Sequence, residues 1–151
     1  MKINTISVAR EELATAERQY EDLLRRFTQF AAHAQLLAGE RSPCRGITII
    51  DSAPTAFTVK FLDRAVRFSF EYVHDPSRGV LLATDVSARA RDDERQFWIM
   101  RFDGVGKLEG VDQPEPGHDY SLQRDVDCME IVLAAIVMKL KTGTRLASDA
   151  G

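Results

Sequence analysis

The chain has 151 residues, of which 28% are charged and 44% are aliphatic or aromatic, and its formal net charge is -3. This is the length of one ordinary domain and the composition of a globular protein with a packed core. The slight acidity argues against a protein whose main partner is nucleic acid, because such proteins carry a strongly basic surface. The strongest membrane candidate, Ile131 to Met138, is eight residues long, and a span needs about 20.

The chain carries two cysteines, Cys44 in a polar loop and Cys128 near an apolar run. We expect both to be free thiols in a reducing compartment. The first 25 residues hold five acidic side chains and no apolar run of signal-peptide length. We therefore expect a cytoplasmic protein without a cleaved leader.

Apolar residues in the first quarter of the chain recur at alternating steps of three and four. The positions are Leu13, Ala16, Tyr20, Leu23, Phe27, Phe30, Ala34 and Leu37. This heptad seam predicts one helix from a cap at Ser7 to about Ala38, ended by Gly39 in a left-handed conformation. Such a helix would be about 45 Å long, which exceeds the width of a small domain. We expect the seam to pack partly on a second copy of the chain. The alternative is that it only covers the chain's own sheet.

Residues 46–111 alternate between apolar and polar side chains and predict an antiparallel meander of five or six strands. A hairpin turn is expected at Asp63 and Arg64. A second turn over Asp75 to Gly79, with Gly79 at a left-handed or bulge position, should lead into a strand from Val80 to Ser87. A further strand is predicted from Gln96 to Phe102, followed by a short sixth strand near the glycines after Asp103.

A second helix is predicted over residues 125–142, with Lys139 and Lys141 at its negative end. It is apolar nearly all round, so both of its sides should be buried, one against the sheet and one against the first helix. The predicted fold class is therefore α+β, a single domain with a long N-terminal helix, a meander and a C-terminal helix on the sheet.

One candidate interface combines arginine with an aromatic residue, a composition that protein interfaces and single-strand nucleic-acid platforms share. Its residues are Arg89, Arg91, Arg95, Trp98 and Arg101. Neighbouring acidic residues neutralise much of this charge, so we favour a protein partner over nucleic acid.

A second group of residues could line a pocket, namely Cys44, Tyr72, His74 and His118. Each histidine precedes an aspartate, and a histidine with a carboxylate can serve as a general base or metal ligand. Adjacent residues on a strand point to opposite sides, however, so neither dipeptide forms a ligand pair by itself. We therefore predict no metal, no cofactor and no catalytic residue.

The sequence favours a small non-enzymatic protein that binds another protein and forms a homodimer through its helices. Small acidic α+β dimers include secretion chaperones, immunity proteins and regulatory adaptors, an analogy at the level of fold class only. The main alternative is a small enzyme or ligand-binding domain with a pocket between the sheet and the C-terminal helix. Weak nucleic-acid binding through Arg89 to Arg101 is a second alternative.

Overall fold

The computed structural model describes residues 5–88, 95–109 and 113–150, with the side chains of the last helix given through Lys141. Helix α1 spans Thr5–Ala34 and continues as a 3₁₀ turn, Gln35–Ala38. Six strands follow: β1 Ile47–Ala53, β2 Ala56–Phe61, β3 Arg64–Val73, β4 Arg78–Asp85, β5 Gln96–Phe102 and β6 Leu108–Glu109. Helix α2 spans Asp125–Ala150. The α+β prediction is confirmed.

The strands form one antiparallel sheet in sequence order, β1 to β6. Phe57 lies opposite Phe68, which lies opposite Ala83, which in turn lies opposite Trp98. Because side chains alternate along each strand, this row and the rows two residues away face the same side. All four of these side chains are buried, so this inner face of the sheet lies in the core.

Both helices lie on the inner face. Helix α1 packs against β3, β4 and α2, and α2 also packs against β3. Aromatic rings join α1 to the sheet: Phe30 lies 5.5 Å from Phe57 and 5.4 Å from Phe68 between ring centroids, and Phe27 lies 5.8 Å from Phe70. The C-terminal half of α1 is therefore fixed to the sheet by aromatic packing.

The 3₁₀ turn after α1 ends at Ala38, as predicted, but two predicted details at the ends of α1 were wrong. The helix begins at Thr5, so Ser7 lies inside it and does not cap it. Gly39 has φ of −84° and ψ of 172°, so the 3₁₀ turn ends in extended backbone and not in a left-handed residue.

The turn between β2 and β3 is centred on Leu62 and Asp63, because Phe61 pairs with Arg64. Leu62 has a positive φ of 56°, which leucine seldom adopts, and this explains why its sequence gives no turn signal.

The predicted strand from Val80 to Ser87 begins two residues earlier and ends at Asp85, where the side chain accepts a hydrogen bond from the Ser87 N–H. Gly79 lies within this strand and is not a left-handed turn residue. The predicted C-terminal helix, residues 125–142, begins at the expected residue and continues to Ala150.

Helix α2 is the more apolar of the two helices, and its buried apolar residues are Cys128, Ile131, Val132, Ala135 and Ile136. Its opposite side is not fully covered, since Val126, Val137 and Met138 are exposed. Within the ranges described, neither helix combines the length and the hydropathy that a membrane crossing requires.

Candidate functional site

The helical seam divides into a buried half and an exposed half. Leu23, Phe27, Phe30 and Leu37 are at most 2% exposed, and Tyr20 packs near the end of the central strand β3 with its ring 5.5 Å from Phe70. Leu13, one heptad before Tyr20, is 70% exposed. The seam therefore covers the chain's own sheet from Tyr20 onward and has no cover in the chain before it.

Residues 5–14, which we call the exposed segment, are all exposed. Ile6, Ala9 and Leu13 lie three and four residues apart, so they form one apolar stripe along it. Arg10, Ala14 and Glu17 join them around a shallow groove of about 500 Å³. This stripe, flanked by one cation and one anion, is the largest departure of α1 from an ordinary surface helix.

One contact, made by Glu12 beside the stripe, joins the exposed segment to the end of β3. Glu12 Oε2 lies 3.0 Å from His74 Nε2, and Tyr72 Oη lies 2.6 Å from His74 Nδ1. The Tyr72 hydroxyl also lies 3.1 Å from Gln19 Oε1. Successive residues of a helix are about 100° apart, so Leu13 lies a quarter-turn from Glu12 and on nearly the same side of the helix as Tyr20. The Leu13 stripe therefore continues the sheet-covering face of α1 beyond its last contact with the sheet.

The Glu12–His74–Tyr72 side chains form a continuous chain of contacts that is open to solvent. The side chains of His74 and Glu12 are 38% and 65% exposed. A contact between side chains this exposed contributes at most about 1 kcal/mol to stability. Its clearest consequence is orientation, since it joins α1 to the end of β3.

The four predicted pocket residues lie in three separate places. Tyr72 and His74 meet at the end of β3. His118 Nε2 lies 2.9 Å from Asp127 Oδ1, beyond β6, with its ring 4.4 Å from that of Tyr120. The path from Tyr72 to Tyr120 crosses β4, β5 and β6, about 19 Å at the usual strand spacing.

Cys44 lies before β1, the edge strand on the other side of the sheet from β6. The Ser42 hydroxyl accepts a hydrogen bond from the Cys44 N–H and donates one to the Cys44 carbonyl oxygen. These side chains do not share one pocket between the sheet and α2.

The candidate interface of arginine and tryptophan is also divided. Trp98 is 6% exposed and belongs to the core. Arg101, three residues further along β5, is exposed on the outer face of the sheet. Arg95 is exposed just before β5, whereas Arg89 and Arg91 lie outside the described residues. Trp98 is therefore a packing residue here and does not form one surface with Arg101.

Asp85 and Lys139 form a buried ion pair that the sequence did not predict. Lys139 Nζ lies 3.3 Å from Asp85 Oδ2, both residues are at most 5% exposed, and the ammonium stands 4.9 Å from the centroid of the Phe97 ring. Burial opposes ionisation of Asp85, but the Ser87 hydrogen bonds and the Lys139 charge outweigh it and lower the pKa of Asp85. One feature of the sequence could have indicated this pair. Lys139 directly follows the apolar run Ile131 to Met138, a position more typical of a buried cation than of a charge at a helix end.

Comparison with protein-family models found no match, and comparison with curated proteins and with solved structures found no significant match.

Proposed function

We propose that this protein is a small non-enzymatic binding protein whose first partner is a second copy of itself, paired through the exposed segment of α1. The observation that carries the proposal is the exposure of Ile6 (77%) and Leu13 (70%) on a helix whose later turns form the core. Apolar side chains aligned on one helix face are stabilised when a partner removes them from water. The cytoplasm remains the proposed compartment.

A second copy fits this stripe because the stripe is symmetric about its centre. Ile6, Ala9 and Leu13 are followed on the same side by Glu17 and Tyr20, so the steps read the same in both directions from Leu13. In an antiparallel pair with Leu13 facing Leu13, Ile6 of one chain approaches the side of Tyr20 that the other chain's own sheet leaves partly exposed. Such a two-fold contact closes on itself and produces a dimer, not a filament.

The charges beside the stripe agree with the same arrangement. Arg10 and Glu17 both border the groove and lie on either side of Leu13. In the antiparallel pair, Arg10 of each chain lies next to Glu17 of the other. The two exposed pairs add specificity more than affinity. A parallel pair would instead place like charges together.

The apolar part of the exposed segment is short. A stable interface of standard size buries about 800 Å² on each partner, and three apolar side chains on ten residues form a small contact. We therefore expect association that depends on protein concentration. Binding of another protein, including through Arg101, stays part of the proposal.

The test is the mass in solution of Leu13→Glu beside the unmodified protein, by light scattering over a concentration series. The substitution places a charge at the centre of the stripe, and Leu13 is too exposed to support the fold. Leu62→Glu is the matched control, because Leu62 is 74% exposed in the turn after β2. We expect Leu13→Glu alone to weaken association at least about tenfold, which corresponds to 1.4 kcal/mol. Equal association of all three proteins would refute the proposal.

Ligand binding or catalysis is a second candidate function, and the Glu12–His74–Tyr72 chain is the observation in its favour. It borders a polar depression of about 450 Å³ between α1 and the turn after β3. A histidine between a carboxylate and a hydroxyl is a common arrangement of general bases. A thermal-shift screen would support this function if a ligand stabilised the unmodified protein and not Tyr72→Phe, and would oppose it if both responded equally.

A further inference from the structure

His118, Asp127 and Glu130 place three metal-binding side chains together at the start of α2. Each offers one ligand atom, and these atoms all lie within 4.8 Å of one another. Asp127 and Glu130 are three residues apart, so they share one face of the helix. His118 comes from the segment that crosses from β6 to α2. The cluster therefore combines one nitrogen and two carboxylate donors from two parts of the chain.

Asp127 is held in place as metal-binding carboxylates usually are. It is 3% exposed, and its Oδ2 accepts a hydrogen bond from the Ser121 N–H at 2.9 Å and lies 3.3 Å from Arg124 Nε. Its other oxygen, Oδ1, faces His118 Nε2. Hydrogen bonds to one oxygen of a ligating carboxylate orient the other toward the ion. Oδ1 and Nε2 are therefore the two atoms positioned to share a cation.

A second, independent observation comes from Tyr120. This side chain is completely buried, yet its hydroxyl makes no hydrogen bond to any of the residues described. Its ring meets the His118 ring edge-on at 4.4 Å between centroids. A buried hydroxyl normally has a partner, and this one lies beside the cluster.

We propose that His118, Asp127 and Glu130 bind one divalent transition-metal ion, with a water molecule as a further ligand beside the Tyr120 hydroxyl. The donor set decides the class of ion. Ca²⁺ and Mg²⁺ select all-oxygen sites, whereas imidazole with carboxylates suits Zn²⁺ and its neighbours. Three protein ligands leave one position of a tetrahedral ion open to water. The competing explanation is that His118 and Asp127 form only an ion pair that joins the crossing segment to α2.

The experiment titrates metal-free full-length protein with Zn²⁺ in competition with a chromophoric chelator. We expect one ion per chain, and at least about tenfold weaker binding for His118→Gln and for Glu130→Gln, because each removes one ligand. Glu130→Gln preserves the shape of the side chain, and far-UV circular dichroism checks that both variants fold. A Tyr120→Phe variant should bind the ion more weakly than the unmodified protein while keeping the same stoichiometry.

The chain provides a matched control in His74→Gln. His74 also lies 3.0 Å from a carboxylate and beside a tyrosine, but its partner, Glu12, is mostly exposed. This variant should bind Zn²⁺ as the unmodified protein does. The proposal is overturned if no saturable binding occurs, if the ligand variants bind as tightly as His74→Gln, or if Cys44→Ser abolishes binding. The first of these results would leave His118 and Asp127 as a structural ion pair.

Discussion

Among the glycines of the described residues, Gly79 lies closest to an aromatic ring. A Cβ built on Gly79 would lie 2.2 Å from the Phe102 ring, which occupies the space above the strand. The glycine serves close packing of the ring, not a left-handed turn. No sequence pattern distinguishes these two uses, since both place a glycine after a turn.

We predict that Gly79→Ala destabilises the fold by about 1–3 kcal/mol, because the Phe102 ring must move from its packed position. Urea denaturation measures this difference. Gly104→Ala is the control, since a Cβ there meets no atom within 4 Å, and its change should stay within about 0.5 kcal/mol. A Gly79→Ala protein as stable as Gly104→Ala would contradict the packing found here.

The buried Asp85 makes a prediction about acid stability. Its pKa is lowered in the folded state, whereas the pKa of an aspartate in the unfolded chain is about 3.9. A lowered folded pKa contributes stability above the unfolded pKa, and this contribution disappears as the pH falls through the folded pKa. Between about pH 4 and pH 2, the free energy of unfolding should fall more steeply for the unmodified protein than for Asp85→Asn.

Urea denaturation at a series of pH values measures this slope. Asp63→Asn is the control, because Asp63 is an exposed carboxylate in the turn after β2, and its slope should match that of the unmodified protein. If Asp85→Asn showed the same acid dependence as both, Asp85 would not hold a lowered pKa.

At the scale of the element, periodicity predicted the helices and strands well. The strand Gln96–Phe102 has the predicted ends, and the start of α2 at Asp125 also agrees. Ends were missed where a residue occupies a conformation that its type does not favour. Leu62 occupies a left-handed turn position, and α2 continues past Gly143. Local propensity does not report such positions, because packing elsewhere offsets their cost.

The charges beside the exposed segment of α1 predict an antiparallel register for the proposed pair of helices. Arg10→Glu should weaken association, because it places two like charges beside each other in the antiparallel pair. Adding Glu17→Arg should restore association, since the double variant exchanges the charges. Sedimentation equilibrium of the three proteins measures this. If the double variant associated as weakly as Arg10→Glu alone, the antiparallel register would be contradicted. That result would not bear on whether the apolar stripe itself forms the contact.

At the scale of the whole molecule, the α+β fold was predictable because each element carries its own periodic signal. The side-chain clusters were less predictable from the sequence, because each joins residues that are far apart along the chain. Glu12 meets His74 across 62 positions, and the ion pair of Asp85 with Lys139 joins a strand to the last helix. The division of the seam at Tyr20 was equally hidden, since its spacing does not reveal where the sheet ends.

We have proposed that the exposed segment of α1 pairs with a second copy of the chain. Light scattering of the unmodified protein over a wide concentration range tests it most directly. If the segment pairs in this way, the mass rises with concentration from the 16.9 kDa of one chain toward twice that value. A mass of one chain at every concentration, up to the limit of solubility, would contradict it.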